Sequence, residues 1–290
     1  MSATDYLTAP QAAEFIGVSI VTLRRWDEAG ILPSEREWKQ KHRHYSREDL
    51  VAFVGRAALP SSLTGVHTFV FDFDSTLFPL ETLEELLRIA LAHDPLRREK
   101  CAEIEEIGRQ GMEGIIPIAQ SIALRLACAK VHRSHIEQFV QEAKTQLSPR
   151  VLQCLALLRE RKQKILVLSN GFRECILPLT TLMGIEPIDV FCGRFLFAGD
   201  GTVLRPCRSP LLGSHGKANT VRLLRDNGFA PGTVFMIGDG MSDFDVVQQS
   251  AADHFIGCGF FRRRASVQEQ APHFCSTIGA LQSMLRSLFP

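Results

Sequence analysis

Two acidic residues follow an apolar run at a spacing that suits metal binding and catalysis. Asp72 and Asp74 flank Phe73 directly after the run at residues 68–71. On a regular strand both carboxylates face the same way. Such a pair can hold a hard divalent cation, or its members can act as nucleophile and proton donor. Taken alone, the pair could equally consist of turn or helix-capping aspartates.

Further polar residues follow other apolar runs or lie between them. Ser169, Asn170 and Gly171 come after the second run, and a glycine there lets the backbone approach an anion. Lys217 lies between the second and third runs and offers a point charge to phosphate, although most lysines are simply surface residues. Asp239 stands between two glycines after the third run, where turn chemistry is the alternative explanation.

The elements that must position these residues are parallel strands. Continuous apolar runs alternate with helical segments over residues 67–290, which predicts a Rossmann-like α/β domain with a sheet covered on both faces. Reactive groups gather at the carboxyl ends of such strands. Roughly 90 residues of helical periodicity separate the first two runs, so we expect an inserted helical cap at about residues 80–150. Residues 57–66 have linker composition, and residues 1–56 form a small helical domain.

Composition narrows the functional classes. The chain has 290 residues, 45% hydrophobic and 22% charged, with a net charge of +1, so the whole molecule has no strong attraction to nucleic acid or anionic membranes. Charges interrupt every apolar run well before the roughly 18 residues of a membrane span, and no secretory signal is visible. Eight scattered cysteines without CxxC pairs indicate reduced thiols in a cytoplasmic protein.

Taken together, the four segments around Asp72, Ser169, Lys217 and Asp239 resemble the motifs of the haloacid dehalogenase superfamily, over about residues 66 to 285. The resemblance implies a phosphatase. Asp72 attacks phosphorus and becomes an aspartyl phosphate, and Asp74 protonates the leaving group and then activates water. Ser169 and Lys217 neutralise the phosphoryl oxygens.

The same resemblance implies magnesium as the cofactor. The ligands are Asp72, the main-chain carbonyl of Asp74, and Asp239. Asp243, in the segment Gly-Asp-Gly-Met-Ser-Asp, supports that ligand set from the second shell.

Residues in the expected cap resemble the phosphoserine phosphatase family more narrowly. Glu81 lies nine residues after Asp72, where that family binds the substrate ammonium, and Arg125 occupies the place of the arginine that grips the substrate carboxylate. Ser169, Asn170 and Gly171 are expected beside them. Departures from the family include Asn170, where glycine is usual. The implied substrate is O-phosphoserine, with phosphohomoserine or another small phosphorylated metabolite as alternatives. Glu81 as a helix-start acid and Arg125 as a solvated residue are the structural alternatives.

Residues 6 to 55 resemble the MerR-like winged helix-turn-helix domain, which implies DNA as a partner. The implied recognition helix carries Thr22, Arg24 and Arg25, and the implied wing carries Arg43 and Tyr45. Residues 36–47 hold five Lys or Arg against one Glu, enough for a local phosphate-binding patch.

Two hypotheses remain open. The chain is a phosphatase with an accessory domain, or a DNA-binding transcriptional regulator whose phosphatase-like domain senses a phosphometabolite, and the motifs are also compatible with a protein that does both. The sequence also leaves the oligomeric state open, with a dimer as one option.

Overall fold

The computed structural model describes residues 6–16, 19–28, 34–36, 43–46, 50, 59–60 and 62–289. Within them, the helices are α1 (Ala9–Ile16), α2 (Ile20–Glu28), α3 (Thr82–Ala90), α4 (Arg97–Met112), α5 (Ile118–Ala127), α6 (Arg133–Ala143), α7 (Pro149–Glu160), α8 (Arg173–Leu182), α9 (Gly216–Asp226), α10 (Met241–Gln248), α11 (Ala265–Gln270) and α12 (Ile278–Ser287). The strands are β1 (Tyr6–Thr8), β2 (Glu35–Arg36), β3 (Arg43–Ser46), β4 (Thr68–Phe71), β5 (Lys164–Phe172), β6 (Val190–Gly193), β7 (Phe195–Phe197), β8 (Val203–Pro206), β9 (Val234–Gly238), β10 (His254–Cys258) and β11 (His273–Cys275).

A six-stranded parallel sheet forms the centre of the larger domain, in the order β11-β10-β9-β4-β5-β6. Each central strand is buried on both faces and alternates between two apolar clusters. In β4, for example, Phe69 and Phe71 belong to one cluster and Val70 to the other. This alternation follows from the two-residue repeat of a strand, and it explains why the central strands are apolar over most of their length. The predicted fold class is confirmed.

The helical cap interrupts the chain between β4 and β5 with helices α3 to α6, and α7 then returns the chain to the sheet. Aromatic contacts tie the cap to the strand end. Phe73 stacks on Phe78 with ring centroids 5.6 Å apart, and Phe78 meets Phe139 of α6 edge to face at 6.3 Å. The residue between the two candidate catalytic aspartates is therefore a buried anchor that links the core to the cap.

The N-terminal module consists of α1, α2 and a small antiparallel sheet in the order β1-β3-β2. Its core contains Leu23 from α2 and Tyr45 from β3, together with Leu50 and the alanines of α1. Helix α2 also contacts α11 of the larger domain. Residues 37–42 of the predicted wing lie outside the described residues. Among the helices that the structure describes, none combines the length and the apolar character of a membrane-spanning helix.

Candidate active site

The turn after β4 sets the positions of the two candidate catalytic aspartates. The Asp72 N–H donates to the Ile237 carbonyl of β9 at 2.9 Å, so the strand stays in the sheet up to this residue. The chain then turns sharply, and the N–H groups of Leu77 and Phe78 both donate to the Phe73 carbonyl at 2.9 Å. Ser75 completes the turn in the left-handed region at φ 56°, a conformation that costs free energy in a non-glycine residue and clusters at functional sites.

Asp74 lies against the first residue of α3. Its carboxylate accepts hydrogen bonds from the Thr82 N–H at 3.0 Å and from the Thr82 hydroxyl at 3.2 Å. Burial, and then repulsion by Glu81, raises the pKa of Asp74 to about 8. The raised pKa favours the protonated form of Asp74, which is the state that a general acid needs.

Lys217 is the buried counter-ion of the site, with 5% of its surface exposed. Its ammonium donates to Asp72 Oδ1 at 2.7 Å and to Asp243 Oδ1 at 2.6 Å. Burial alone lowers the pKa of a lysine, but the attraction of Asp243 and Asp72 outweighs it, and the Lys217 pKa is raised. The lysine thus stays charged while it fixes one oxygen of the candidate nucleophile.

Three buried carboxylates form a cluster that suits a divalent cation. Asp72, Asp239 and Asp243 each offer a ligand oxygen, and these oxygens lie within 4.8 Å of one another. Burial, and then repulsion from Asp243, raises the Asp72 pKa well above its usual value. Burial also raises the pKa of Asp239 to about 6. Lys217 is paired with Asp72 and Asp243, and Arg264 with Asp239, and the carboxylate oxygens in this arrangement fit Mg²⁺.

This cluster contains Asp243, which the ligand set implied by the resemblance does not include, and it leaves out the Asp74 carboxylate. The Asp74 carboxylate lies outside the cluster and bonds to Thr82 instead, so a ligand role for Asp74 rests on its main-chain carbonyl, as predicted. Asp243 reaches into the cluster and also accepts a hydrogen bond from the Gly240 N–H at 3.0 Å. Gly238 has to be a glycine because a Cβ there would lie 2.2 Å from Asp243 Oδ2.

The end of β5 brings a buried hydroxyl and an amide to the same place. Ser169 is 1% exposed, and its Oγ accepts a hydrogen bond from the Gly171 N–H at 3.0 Å. A Cβ on Gly171 would stand 2.8 Å from Ile176 Cδ1, so the backbone has no room for a side chain. The side-chain oxygen of Asn170 is buried without a hydrogen-bond partner among the residues that the structure describes. The cavity wall therefore carries polar groups that can still form hydrogen bonds.

One cavity brings the core and cap residues together. It is lined by Asp72, Asp74, Glu81, Leu83, Met112, Ile118, Ile122, Arg125, Ser169, Asn170, Gly171, Lys217 and Ser242. Every substrate-binding residue expected from the sequence is in this set. Arg125 is 7% exposed, so it is a buried cation and not a solvated helix residue. Its Nε donates to the Ser121 carbonyl at 3.4 Å, and its Nη1 lies 3.9 Å from Glu84 Oε1.

Sequence reasoning missed three charged residues that pair with residues at or beside this cavity. Arg264, in the loop after β10, donates from Nε to Asp239 Oδ2 at 2.8 Å and from Nη2 to Glu81 Oε1 at 3.2 Å. Arg262 reaches the same Glu81 oxygen at 3.4 Å. The third residue, Glu84, has its pKa raised to about 7 by burial and then by repulsion from Glu81. The available signal was the run of three consecutive arginines at residues 262–264. The run does not indicate which carboxylates the arginines pair with.

The predicted DNA-binding residues occupy different environments. Arg24 is exposed on α2. Arg43 forms ion pairs with Asp27 and with Glu28, the second at 2.9 Å. The prediction that Tyr45 contacts DNA requires correction, because its side chain is 1% exposed and packs in the core of the module. The side chains of Thr22 and Arg25 lie outside the described residues, although α2 contains both positions.

Comparisons with known proteins agree with this geometry. Residues 69–248 match the family model of haloacid dehalogenase-like hydrolases, and residues 6–57 match that of a helix-turn-helix domain. A phosphoserine phosphatase of Bos taurus is 27% identical over 235 residues, which cover 79% of this chain and 99% of the relative. The crystal structure of a phosphoserine phosphohydrolase-like protein from Francisella tularensis superposes with a TM-score of 0.68 and 26% identity, covering 76% of this chain and 99% of that one.

The N-terminal module has a relative of a different kind. The transcriptional repressor DcmR of Methylorubrum extorquens is 47% identical over 53 residues, which cover 18% of this chain and 20% of the repressor. The helix-turn-helix part of the prediction is confirmed, and the narrower MerR assignment stays a prediction.

The chain belongs to the haloacid dehalogenase-like hydrolase family, which the matched segment and the parallel sheet define. The predicted enzyme class, a phosphoric monoester hydrolase, is confirmed by the phosphoserine phosphatases among its relatives.

Proposed function

We propose that the chain is a Mg²⁺-dependent phosphomonoester hydrolase that works through an aspartyl phosphate on Asp72, with O-phosphoserine as its substrate. The observation that carries the mechanism is the contrast between the two aspartates of the β4 turn. Asp72 is bonded to the Lys217 ammonium at 2.7 Å, whereas Asp74 is buried against Thr82 with a pKa raised to about 8. Neighbouring carboxyl groups with such different partners, a lysine ammonium for one and a threonine for the other, are suited to separate roles as nucleophile and acid.

In the first half-reaction an Asp72 oxygen attacks phosphorus and the bond from phosphorus to the ester oxygen breaks. The proton on Asp74 passes to the departing alkoxide, so the alcohol leaves neutral. Lys217 orients the Asp72 carboxylate and offsets the negative charge of the phosphoryl group. The products of this step are the free alcohol and the aspartyl phosphate.

In the second half-reaction Asp74, now a carboxylate, accepts a proton from a water molecule that attacks the same phosphorus. The bond between phosphorus and the Asp72 oxygen breaks, inorganic phosphate leaves, and both aspartates return to their starting states. Ser169 lies at the cavity wall, where its hydroxyl accepts from the Gly171 N–H and can donate its own proton to a phosphoryl oxygen.

Asp72, Asp239 and the Asp74 carbonyl would hold the magnesium ion, with Asp243 beside them. When bound, the ion supplies positive charge that stabilises the phosphoryl oxygens and lowers the raised pKa values of the surrounding acids.

The cap supports an amino acid phosphate as the substrate. Arg125 is a buried guanidinium at the cavity, which suits a substrate carboxylate. Glu81 offers a carboxylate to the substrate ammonium on the same wall. The phosphoserine phosphatases among the relatives support the same choice, and phosphohomoserine remains the alternative with the same functional groups.

The test is phosphate release in the presence of Mg²⁺ from O-phosphoserine, O-phosphothreonine, phosphohomoserine and an aryl phosphate. The control variant is Asp72→Asn. We expect the fastest release from O-phosphoserine and none from the variant. Faster release from another ester would keep the mechanism and replace the substrate, and no release from folded, metal-loaded protein would contradict both.

A second candidate function is supported by the helix-turn-helix match and by the likeness to a transcriptional repressor. We propose that residues 1–56 form a DNA-binding domain, joined by the linker 57–66 to a phosphatase domain at 67–290 with its cap at about 80–150. The chain would then regulate transcription, with the phosphatase domain as the sensor of a phosphometabolite. A gel-shift titration against genomic fragments, with the double variant Arg24→Ala and Arg25→Ala as control, tests this function. Equal, salt-insensitive binding by both forms would contradict it.

A further inference from the structure

Glu81, the proposed ammonium-binding residue, is already surrounded by cationic groups. Its Oε1 accepts hydrogen bonds from the Ser75 hydroxyl at 2.9 Å, from Arg264 at 3.2 Å and from Arg262 at 3.4 Å. Two guanidinium groups therefore contact the Glu81 carboxylate before any substrate enters.

The two arginines differ in what holds them. Arg264 bridges Glu81 and Asp239, and its side chain is 15% exposed. Arg262 meets Glu81 from the solvent side, with 42% of its side chain exposed. Arg264 therefore has a second carboxylate at the catalytic cluster, whereas the ion pair of Arg262 is directed at Glu81. Of the two, Arg262 is the residue that can be changed without disturbing Asp239.

We propose that Arg262 is a specificity-determining residue that competes with a substrate ammonium for Glu81. The proposal rests on the proposed function and names its substrate class more exactly. A substrate ammonium at Glu81 has to approach two guanidinium groups, and this repulsion offsets part of the attraction of the carboxylate. The substrate carboxylate keeps its own partner in Arg125. The site therefore accepts phosphate esters of hydroxycarboxylic acids whether or not they carry an α-amino group.

The test compares O-phosphoserine with 3-phosphooxypropanoate, which is the same molecule without the amino group. The quantity measured is the ratio of kcat/KM for the two esters in the wild type, in Arg262→Gln and in the matched control Arg263→Gln. Arg263 is exposed and donates to Gln268 at 2.7 Å, so its replacement removes the same charge from the same loop without touching Glu81.

We expect Arg262→Gln to shift the ratio toward O-phosphoserine by roughly two- to fivefold, the range for an exposed ion pair. We expect Arg263→Gln to leave it unchanged. The shift should shrink at high ionic strength, because salt screens the exposed charge. Equal ratios in the two variants would overturn the proposal. So would a wild type that rejects 3-phosphooxypropanoate by more than roughly a thousandfold, because that degree of discrimination requires an unopposed ammonium contact.

The same ratio can be measured as binding, which separates this inference from the proposed reaction. In an Asp72→Asn background turnover is blocked, and calorimetry in Mg²⁺ gives the dissociation constants of both esters with and without Arg262→Gln. A shift in binding ratio with no hydrolysis by the native chain would support the role of Arg262 and contradict the proposed activity. Hydrolysis by the native chain with an unchanged binding ratio would support the proposed activity and contradict the role of Arg262.

Discussion

The catalytic cavity and the N-terminal module place their charged residues in opposite ways. At the cavity, the buried Lys217 forms ion pairs with two buried carboxylates, Asp72 and Asp243. In the module, Arg24 is exposed and Arg43 forms ion pairs with acids at the end of α2. Electrostatic interactions are strong where water is excluded and weak where salt and water screen them. Substitutions in the cavity should therefore change the reaction rate by large factors. Substitutions in the module should change DNA affinity by small factors that depend on salt concentration.

The largest expected effect is that of Asp74→Asn. The substitution removes the acid that protonates the alkoxide, so kcat for O-phosphoserine should fall by roughly 10²–10⁴. An aryl phosphate has a leaving group that departs without a proton, so its first step should survive. Stopped-flow measurement should then show a burst of about one equivalent of aryl alcohol followed by slow turnover, because Asp74 also activates the water.

The control for this prediction is Asp94→Asn, which removes a carboxylate paired with Lys100 at the surface. Asp94→Asn should leave kcat unchanged for both the alkyl and the aryl ester. An equal loss of activity on the alkyl and aryl esters by Asp74→Asn, without a burst, would contradict the assigned role.

The second effect in size concerns Arg125. Arg125→Ala should lower kcat/KM for O-phosphoserine by roughly ten- to a hundredfold, the range for a charge-assisted hydrogen bond. The rate with an aryl phosphate that lacks a carboxylate should change little, because that ester has no group for Arg125 to bind. Arg109→Ala, at an exposed ion pair of the cap, is the matched control. A similar loss on both esters would mean that Arg125 supports the cap and does not select the substrate.

A smaller effect is expected at the module. Arg24→Ala should weaken DNA binding by roughly three- to tenfold. It should also reduce the slope of the logarithm of affinity against the logarithm of salt concentration by about one, as for a single phosphate contact. Fluorescence anisotropy with labelled genomic fragments measures both values. Phosphatase activity should be unchanged, and Arg98→Ala on the exposed surface of α4 should change neither property. A large, salt-independent loss of DNA affinity would break the contrast between the two regions.

The smallest effect is a pH dependence set by Glu84. Burial, and then repulsion by Glu81, raises the Glu84 pKa to about 7. Below that pH Glu84 is neutral and Arg125 is free to bind a substrate carboxylate. Above it the ionised Glu84, 3.9 Å from Arg125, competes with the substrate. The KM for O-phosphoserine should therefore rise by a few-fold as pH increases through 7.

Glu84→Gln should remove this rise in KM. Glu85→Gln should keep it, because Glu85 pairs with Arg88 away from the cavity. An ester without a carboxylate corrects for the titration of the phosphate itself. The assignment fails if the wild-type KM is flat across pH 6 to 8, or if Glu84→Gln retains the same slope.

The fold and the clustering of Asp72 with Asp239 could be predicted because both follow from local pattern. A parallel strand with helices on both faces has to be apolar along its length, as β4 and β9 are, and its first polar residue then marks the sheet edge. Strand ends in one sheet meet at that edge, so Asp72 and Asp239 are close in space although they are far apart in sequence.

The charged lining of the cavity could not be predicted in the same way. Arg262 and Arg264 reach Glu81 from a loop that follows it by more than 180 residues, and an ion pair leaves no local pattern. Nor does spacing show which way a side chain points. Tyr45 has the position expected of a wing residue, but its ring fills the core of the module.

The sequence by itself determined the hydrolase family, the α/β fold with its cap, and the helix-turn-helix module, because hydrophobic periodicity and motif spacing are local properties. The tertiary structure alone decided the partners and the surroundings of each carboxyl group. Asp72 and Asp74 are the same amino acid two positions apart, yet one lies against Lys217 and the other against Thr82. A pKa depends on burial and on nearby charge, and both are properties of the folded chain.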